Sequence, residues 1–503
     1  MSTDTSTPAA DTAPGEVPLR AATLHALPDG VQVPGYDRGA LQTGVVHIGV
    51  GGFHRAHQAV YLDRLADTGV TDWGLVGVGL RSTEIGDVLR AQDCLYTVVE
   101  RGAAASTARV VGVMGRYLHA ATQPETVLDV LADPTTRLVT LTITGSGYNV
   151  DAQGEFSVDD PTVAEELEDP GRPSTVFGYL VEALDRRRRA GVAPFTVLSC
   201  DNIPTNGKAA AAMVVRFAEL RDPDLARWIE AEVAFPSSMV DRITPATTPE
   251  ERDEIARTFG VDDRWPVICE PFSQWVVEDR FCNGRPPLDR VGVQFVDDVV
   301  PYELVKKRLL NASHCALGYL GHLAGHRTTA DVMADPVLAA FVAGFLDEVI
   351  PLLPPVEGLD LGAYRASLLE RLANPAIADD LSRLCRRGSV KMPSYLLPSI
   401  KEARAAGRPH PLMTLAVAGW FRYLTAEDYA GEPIDVQGPR REQFVDLARR
   451  DGTDPRPLLD ERAVFDGFRD DPGLVEELQA AAEALRLGPR EAVETRLDAG
   501  AAS

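Results

Sequence analysis

The chain has 503 residues, with 50 Lys and Arg against 74 Asp and Glu, and a formal charge of −24. So acidic a chain has no electrostatic footprint for a phosphate backbone or an anionic lipid surface, which excludes nucleic acid and membrane as expected partners. With 45% apolar and 25% charged residues the composition is ordinarily globular, and at about 100–200 residues per domain the length allows about two to four domains.

The start, MSTDTSTPAADTAPGEVP, has neither a basic stretch nor an apolar run, so it does not read as a secretion signal. Residues 1–20 are expected to form a disordered tail. The strongest uncharged run, Pro336 to Leu346, falls far short of the roughly 20 residues that span a bilayer, so a soluble protein is expected. Cys94, Cys200, Cys269, Cys282, Cys315 and Cys385 are scattered, with no CxxC pair, which points to reduced thiols in the cytoplasm. No metal site is expected: His322 and His326 share a helix face at most, with neither an HExxH glutamate nor a third ligand nearby.

In chain order, Val45-Val46-His47-Ile48 is a mainly β-branched run leading into Gly49-Val50-Gly51-Gly52, and Ala56 to Leu65 is helical in pattern. This is strand, glycine turn, helix. Gly74 to Val78, Leu138 to Ile143 and Phe195 to Leu198 are further strand-like runs, with helical patterns at Thr126 to Ala132 and Thr175 to Arg189. Such alternation predicts a doubly wound α/β domain on a parallel sheet. Beyond about residue 300 the texture becomes helical, at Tyr302 to His322, Pro336 to Leu353, Leu361 to Leu372, Arg440 to Arg450 and Pro472 to Leu487. Asn283-Gly284-Arg285-Pro286-Pro287 breaks the pattern before a last strand-like VGVQFV. The expected division is a tail at 1–20, an α/β domain at 21–295 and a mainly α-helical domain at 296–503.

Gly49-Val50-Gly51-Gly52-Phe53-His54 matches the first two glycines of GxGxxG and puts His54 where the third belongs. Glycines between a buried strand and a helix let the backbone approach a pyrophosphate at the helix N-terminus; the plain alternative is a tight turn without a ligand. Past the second strand the first carboxylate is Glu84, placed to hold a ribose and to favour NAD, while Arg81 beside it suits the 2′-phosphate of NADP.

The segment Tyr302 to His314 is the most informative. At about 100° per residue, Glu303, Lys306, Asn311 and His314 fall within an arc of about 140°, opposite Val305, Leu309, Ala312 and Ala316. A solvated amphipathic helix has the same pattern. Yet Asn and His are indifferent helix formers, and the set suits handling of a secondary alcohol. Hydride transfer from an alcohol needs a base for the hydroxyl proton, which lysine becomes once burial or a cation lowers its pKa from about 10.4. It also needs donors for the developing alkoxide, a role for Asn amides. Asn202, in SCDNIP after the strand ending at Leu198, lies at a carboxyl edge where open sheets bind ligands, although Asp201-Asn202 also reads as turn chemistry.

Taken in order, HIGVGGFHRAHQAVYLDRL, SCDNIPTNG, FPSSMVDRITP, EPFSQWVVED and YELVKKRLLNASHCAL closely resemble the polyol-specific long-chain dehydrogenases, and most nearly their mannitol-oxidising branch, from about residue 40 to about residue 430. The resemblance implies a Rossmann-type N-terminal domain, a largely helical C-terminal domain with the site in the cleft between them, and a metal-independent, NAD(P)-dependent interconversion of a sugar alcohol and its ketose. D-mannitol and D-fructose are the leading pair, and a monomer is expected. Carried over by residue, Lys306 is the general base, Asn202 and Asn311 the oxyanion-stabilising amides, His314 the substrate-orienting histidine and Glu303 a glutamate of proton and water exchange. Arg383 and Lys391, which composition alone would make surface charges, fall on the polyol-binding pair. Val240 and Asp241 lie close to the nicotinamide, Gly49, Val50, Gly51, Gly52, Phe53 and His54 on the pyrophosphate turn, and Glu84 on one of two ribose acids.

There are two departures from the family pattern. Thr83-Glu84 stands where close relatives have Glu-Asp, which relaxes the expected NAD selectivity, and Gly145 stands where relatives usually carry a glutamate. Rival readings are a hexuronate reductase of the fructuronate type, for which Arg386 and Arg387 supply extra basic groups, arabinitol or sorbitol oxidation, and a catalytically silent NAD-binding protein, against which the intact Lys306, Asn311, His314 and Asn202 set argues.

Overall fold

The structure is a computed structural model and describes residues 15–80, 83–148, 156–157, 160–377, 379–450 and 453–501. The chain divides into two compact units, Met1–Val299 and Val300–Ser503.

In the first unit β1 (Thr43–Ile48), β2 (Gly74–Gly79), β3 (Met114–His119), β4 (Leu138–Leu141) and β5 (Thr196–Ser199) form one sheet. The order is β3-β2-β1-β4-β5 with every pairing parallel, the order of a Rossmann-type sheet. β1 is β-branched because both of its faces are covered. Val46 and Ile48 join a core with Leu128, Phe177, Leu180 and Val214, while Val45 joins the opposite one with Leu62, Trp73 and Trp275. After β1 come α1 (Gly52–Ala56) and α2 (Gln58–Asp67), and after β2 comes α3 (Glu84–Ala91). Because the order reverses between β1 and β4, the ligand crevice of such a sheet lies beyond their carboxyl ends.

β3 went unanticipated in the sequence. It is an edge strand with Gly115 and Arg116 exposed, so it lacks an unbroken apolar run. Residues 15–20, expected in the tail, are built into the unit: Val17–Pro18 pairs in parallel with Val261–Asp262, and Leu19 is 1% exposed. Backbone pairing and the burial of one leucine hold this stretch down.

The second unit is helical, with no strand among the described residues. Its elements include α4 (Val300–Lys306), a π-helical turn (Lys307–Asn311), α5 (Ala312–Leu323), α6 (Pro336–Val349), α7 (Leu381–Cys385), α8 (Gly388–Tyr395), α9 (Leu397–Ala405), α10 (Pro411–Tyr423), α11 (Pro472–Ala484) and α12 (Pro489–Ala501). α5 is the central element, apolar on nearly all sides, and packs against α6, α7, α8, α10 and α12.

Candidate functional site

At the end of β1, Gly49 has φ +102, and a Cβ there would lie 2.2 Å from the Thr142 carbonyl oxygen, so only glycine fits. Thr142 Oγ1 donates to the Gly49 carbonyl at 2.8 Å and fastens the turn to the segment after β4. Gly51 caps α1, and a Cβ on Gly52 would meet nothing within 4 Å, so the backbone there is open to approach. The first amides of α1 have no partner within the helix and are suited to an anion.

The residue in place of the third glycine is explained by stacking. The His54 ring lies on the His47 ring, with centroids 3.4 Å apart and planes within 8°. His47 is held between Thr140 Oγ1 at 2.8 Å and Thr142 Oγ1 at 2.9 Å. Burial pushes His47 down to about 3 and His54 well below the ordinary histidine value, so both rings are neutral spacers that set the distance between strand and helix. Val50 is buried and Phe53 stacks on His57 at 5.1 Å, which makes both packing residues of the turn.

Glu84 opens α3 and shares with Gly52 a cavity of about 400 Å³, also lined by Arg252 and Arg264. Gly52 of the glycine turn and Glu84 therefore line one cavity. Arg252 and Arg264 were not singled out in the sequence, because they lie some 170 residues further on without a local signal. Arg81 lies outside the described residues. Val240 and Asp241 are buried on the strand Ser238–Asp241, paired antiparallel with Gln274–Glu278.

Asn202 follows β5 and is exposed. Its neighbour Asp201 is buried and takes hydrogen bonds from Ile143 N at 3.1 Å, Thr144 N at 2.8 Å and Tyr148 Oη at 3.0 Å. Asp201 thus does the turn chemistry and leaves Asn202 presented at the carboxyl edge of the sheet. Gly145 begins a 3₁₀ turn ending at Tyr148.

In the second unit the helix expected over Tyr302 to His322 is broken into α4, the π turn and α5. A π turn closes i→i+5 bonds, so residues five apart return to one face as residues four apart do in an α-helix. Lys306 and Asn311 are such a pair. The arc read at a constant pitch of about 100° is therefore corrected: one extra residue in the turn shifts everything beyond it. Lys306 is buried at 8% exposure, and Asn311 Nδ2 is buried with no hydrogen-bond partner among the described residues. His314 lies half-buried on α5. Glu303 Oε1 pairs with Lys307 Nζ at 2.5 Å, one turn along the same helix.

α8, which carries Lys391, packs against the π turn and α5, and α7, which carries Arg383, packs against α5. Lys391 Nζ donates to the Leu384 carbonyl at 2.9 Å, and burial, with Arg383 and Arg387 nearby, holds its ammonium below the ordinary value. Arg383 Nε donates to Asp379 Oδ1 at 2.9 Å. His322 stands edge-on to Tyr423 and His326 pairs with Asp335.

Comparison with known proteins follows this division of the chain. Residues 43–290 match the mannitol dehydrogenase Rossmann domain and residues 298–486 the mannitol dehydrogenase C-terminal domain. The chain belongs to the mannitol dehydrogenase family. Mannitol dehydrogenase 2 of Saccharomyces cerevisiae is 44% identical over 95% of this chain and 97% of its own, and mannitol 2-dehydrogenase of Aspergillus terreus is 45% identical over 91% and 93%. Among solved structures, Pseudomonas fluorescens mannitol 2-dehydrogenase, in a ternary complex with NAD and D-mannitol, is 42% identical with a TM-score of 0.86, covering 96% of this chain and all (100%) of its own. A D-sorbitol dehydrogenase in substrate-free form is 38% identical with a TM-score of 0.89, covering 95% and 100%. As a family member, the chain has the Rossmann-type and helical domains that its strand order and helix content display. No helix among the described residues is long and apolar enough to cross a membrane.

Proposed function

We propose that the chain is an NAD-dependent polyol dehydrogenase that interconverts D-mannitol and D-fructose. NAD, when bound, supplies the hydride acceptor. Lys306, as the neutral amine, takes the proton of the reacting hydroxyl, and Asn202 and Asn311 donate to the oxygen as it becomes alkoxide-like. His314 orients the substrate, Glu303 serves proton and water exchange, and Arg383 with Lys391 holds the polyol hydroxyls. The open glycine turn takes the pyrophosphate and Glu84 the adenosine ribose, with Val240 and Asp241 near the nicotinamide. Reduction of the ketose runs the same steps in reverse.

The observation that carries this reading is that buried Lys306 stands one π turn from Asn311, whose Nδ2 has no hydrogen-bond partner among the described residues. Lys306→Ala should lower kcat for mannitol oxidation about 10²–10⁴-fold, the usual contribution of a general base, and Asn311→Ala should lower kcat more than it raises KM. Near-normal turnover by Lys306→Ala would refute the assignment. Sorbitol oxidation is the second reading, favoured by the likeness to the D-sorbitol dehydrogenase, and kcat/KM on the two alcohols decides between them. Arg252 and Arg264, which line the Glu84 cavity, favour acceptance of NADP as well as NAD. Glu84→Gln should then move the kcat/KM ratio toward NADP.

A further inference from the structure

The second unit contains a cavity of about 980 Å³ whose walls include none of the residues assigned above. It lies among α9, the start of α10, α11 and α12. Four cations, Lys401, Arg404, Arg408 and Arg496, face it together with two carboxylates, Asp471 and Glu477.

Both carboxylates are already engaged. Arg404 places Nε 2.6 Å and Nη2 2.7 Å from the oxygens of Asp471, and Nη1 2.8 Å from Glu477 Oε1. The other oxygen of Glu477 lies 3.3 Å from His410 Nε2. Lys401 reaches Asp466 at 3.4 Å and sits over the Phe468 ring. Arg408 and Arg496 have no carboxylate within ion-pair distance among the described residues. Two guanidinium groups without a carboxylate partner among the described residues therefore share one concave surface with the Arg404 network.

We propose that this cavity is a binding site for a hydroxylated small molecule carrying a phosphate group. The forked donors of Arg408 and Arg496 match a phosphate dianion, which cancels the local surplus of positive charge. Asp471 Oδ1 is filled by Arg404 and by Leu474 N at 3.0 Å, so the remaining lone pairs of Asp471 Oδ2 and of Glu477 accept from hydroxyl groups. The volume lies within the range of about 300–1,000 Å³ usual for small-ligand sites.

The test is calorimetric titration of the whole protein at constant ionic strength, with NAD saturating so that the glycine turn is occupied. One arm uses inorganic phosphate and the other D-fructose 6-phosphate. Both bind saturably, the hexose phosphate about ten-fold tighter or more, since it adds hydroxyl contacts to the carboxylates. The double variant Arg408→Ala/Arg496→Ala loses about ten-fold or more in affinity for both, the worth of hydrogen bonds to a charged group, and keeps wild-type mannitol turnover measured without phosphate. Arg408→Glu, at an exposed position, gives the same loss by charge repulsion should the double variant fold poorly. Failure of either ligand to saturate, equal affinity for the two, or wild-type affinity in both Arg variants overturns the proposal.

Discussion

Thr144 N donates to Asp201 Oδ1 at 2.8 Å and so joins the loop after β4 to the loop after β5. Ile143 N and Tyr148 Oη complete the set on the other oxygen, at 3.1 Å and 3.0 Å. Burial raises the Asp201 carboxyl above its ordinary value and these hydrogen bonds oppose that shift. Asp201→Asn exchanges one acceptor for a donor and leaves a buried backbone or hydroxyl donor unanswered. The expected cost is about 1–3 kcal/mol of stability, read as a lower midpoint of thermal unfolding. Because Asn202 is the next residue, kcat for mannitol should fall as well. An unchanged melting curve would show that the carboxylate is not the clamp.

The two glycines of the turn should respond differently. Gly49→Ala forces a left-handed residue, costing about 1–2 kcal/mol, and drives a Cβ into the Thr142 carbonyl. Loss of thermal stability together with loss of NAD affinity is expected. Gly52→Ala projects its methyl into open space, so stability should hold while NAD binding weakens. Melting curves with and without NAD separate the two cases.

Arg308 in the π turn is 7% exposed and its guanidinium grips both oxygens of Glu402 on α9. Glu402→Gln leaves a buried cation half-answered, whereas Arg308→Met removes the charge and keeps apolar volume. The glutamine variant should be the less stable of the two, by about 1–2 kcal/mol given the partial exposure of Glu402. A double-mutant cycle in urea measures the coupling.

Glu348 caps the start of α10, accepting from Leu412 N at 2.8 Å and Met413 N at 2.9 Å, and burial pushes its carboxyl up to about 7 from 4.5. Between those values the native state holds a proton that the unfolded chain has released. Its contribution to stability is therefore complete below about pH 4.5 and is lost as pH rises through about 7, a change of about 3 kcal/mol. Glu348→Gln should flatten that part of the stability profile, measured as urea midpoints at pH 5 and pH 8. An equally steep profile in the variant would assign the dependence to other groups.

Much of the fold was legible because it is locally encoded. β1, β2, β4 and β5 carry apolar runs, and the helix Leu361–Leu372 was bounded to the residue by its own periodicity. β3 was missed because an edge strand needs only one partner and one covered face. The π turn was missed because a single extra residue leaves no compositional trace. Among the candidate site residues, Gly49, Gly51 and Lys306 stand out through strand–turn–helix order and motif, whereas Arg252 and Arg264 meet Glu84 only after a fold that joins distant segments.

What the sequence alone determined is the class of chemistry and the kind of scaffold: a glycine turn after a buried strand, a lysine and an asparagine on one helical stretch, and a strongly acidic composition. Those signals live within a few residues of one another, or in the composition. The tertiary structure decided how they are used. It made His54 a stacked spacer on His47, brought Lys306 and Asn311 onto one face through the π turn, and gave Asp201 to the scaffold while Asn202 was presented at the sheet edge. It also gathered Arg408 and Arg496, far apart in sequence, around one cavity. Each of these depends on the burial of one side chain against another that chain order does not place beside it, and burial is settled only when the whole unit packs.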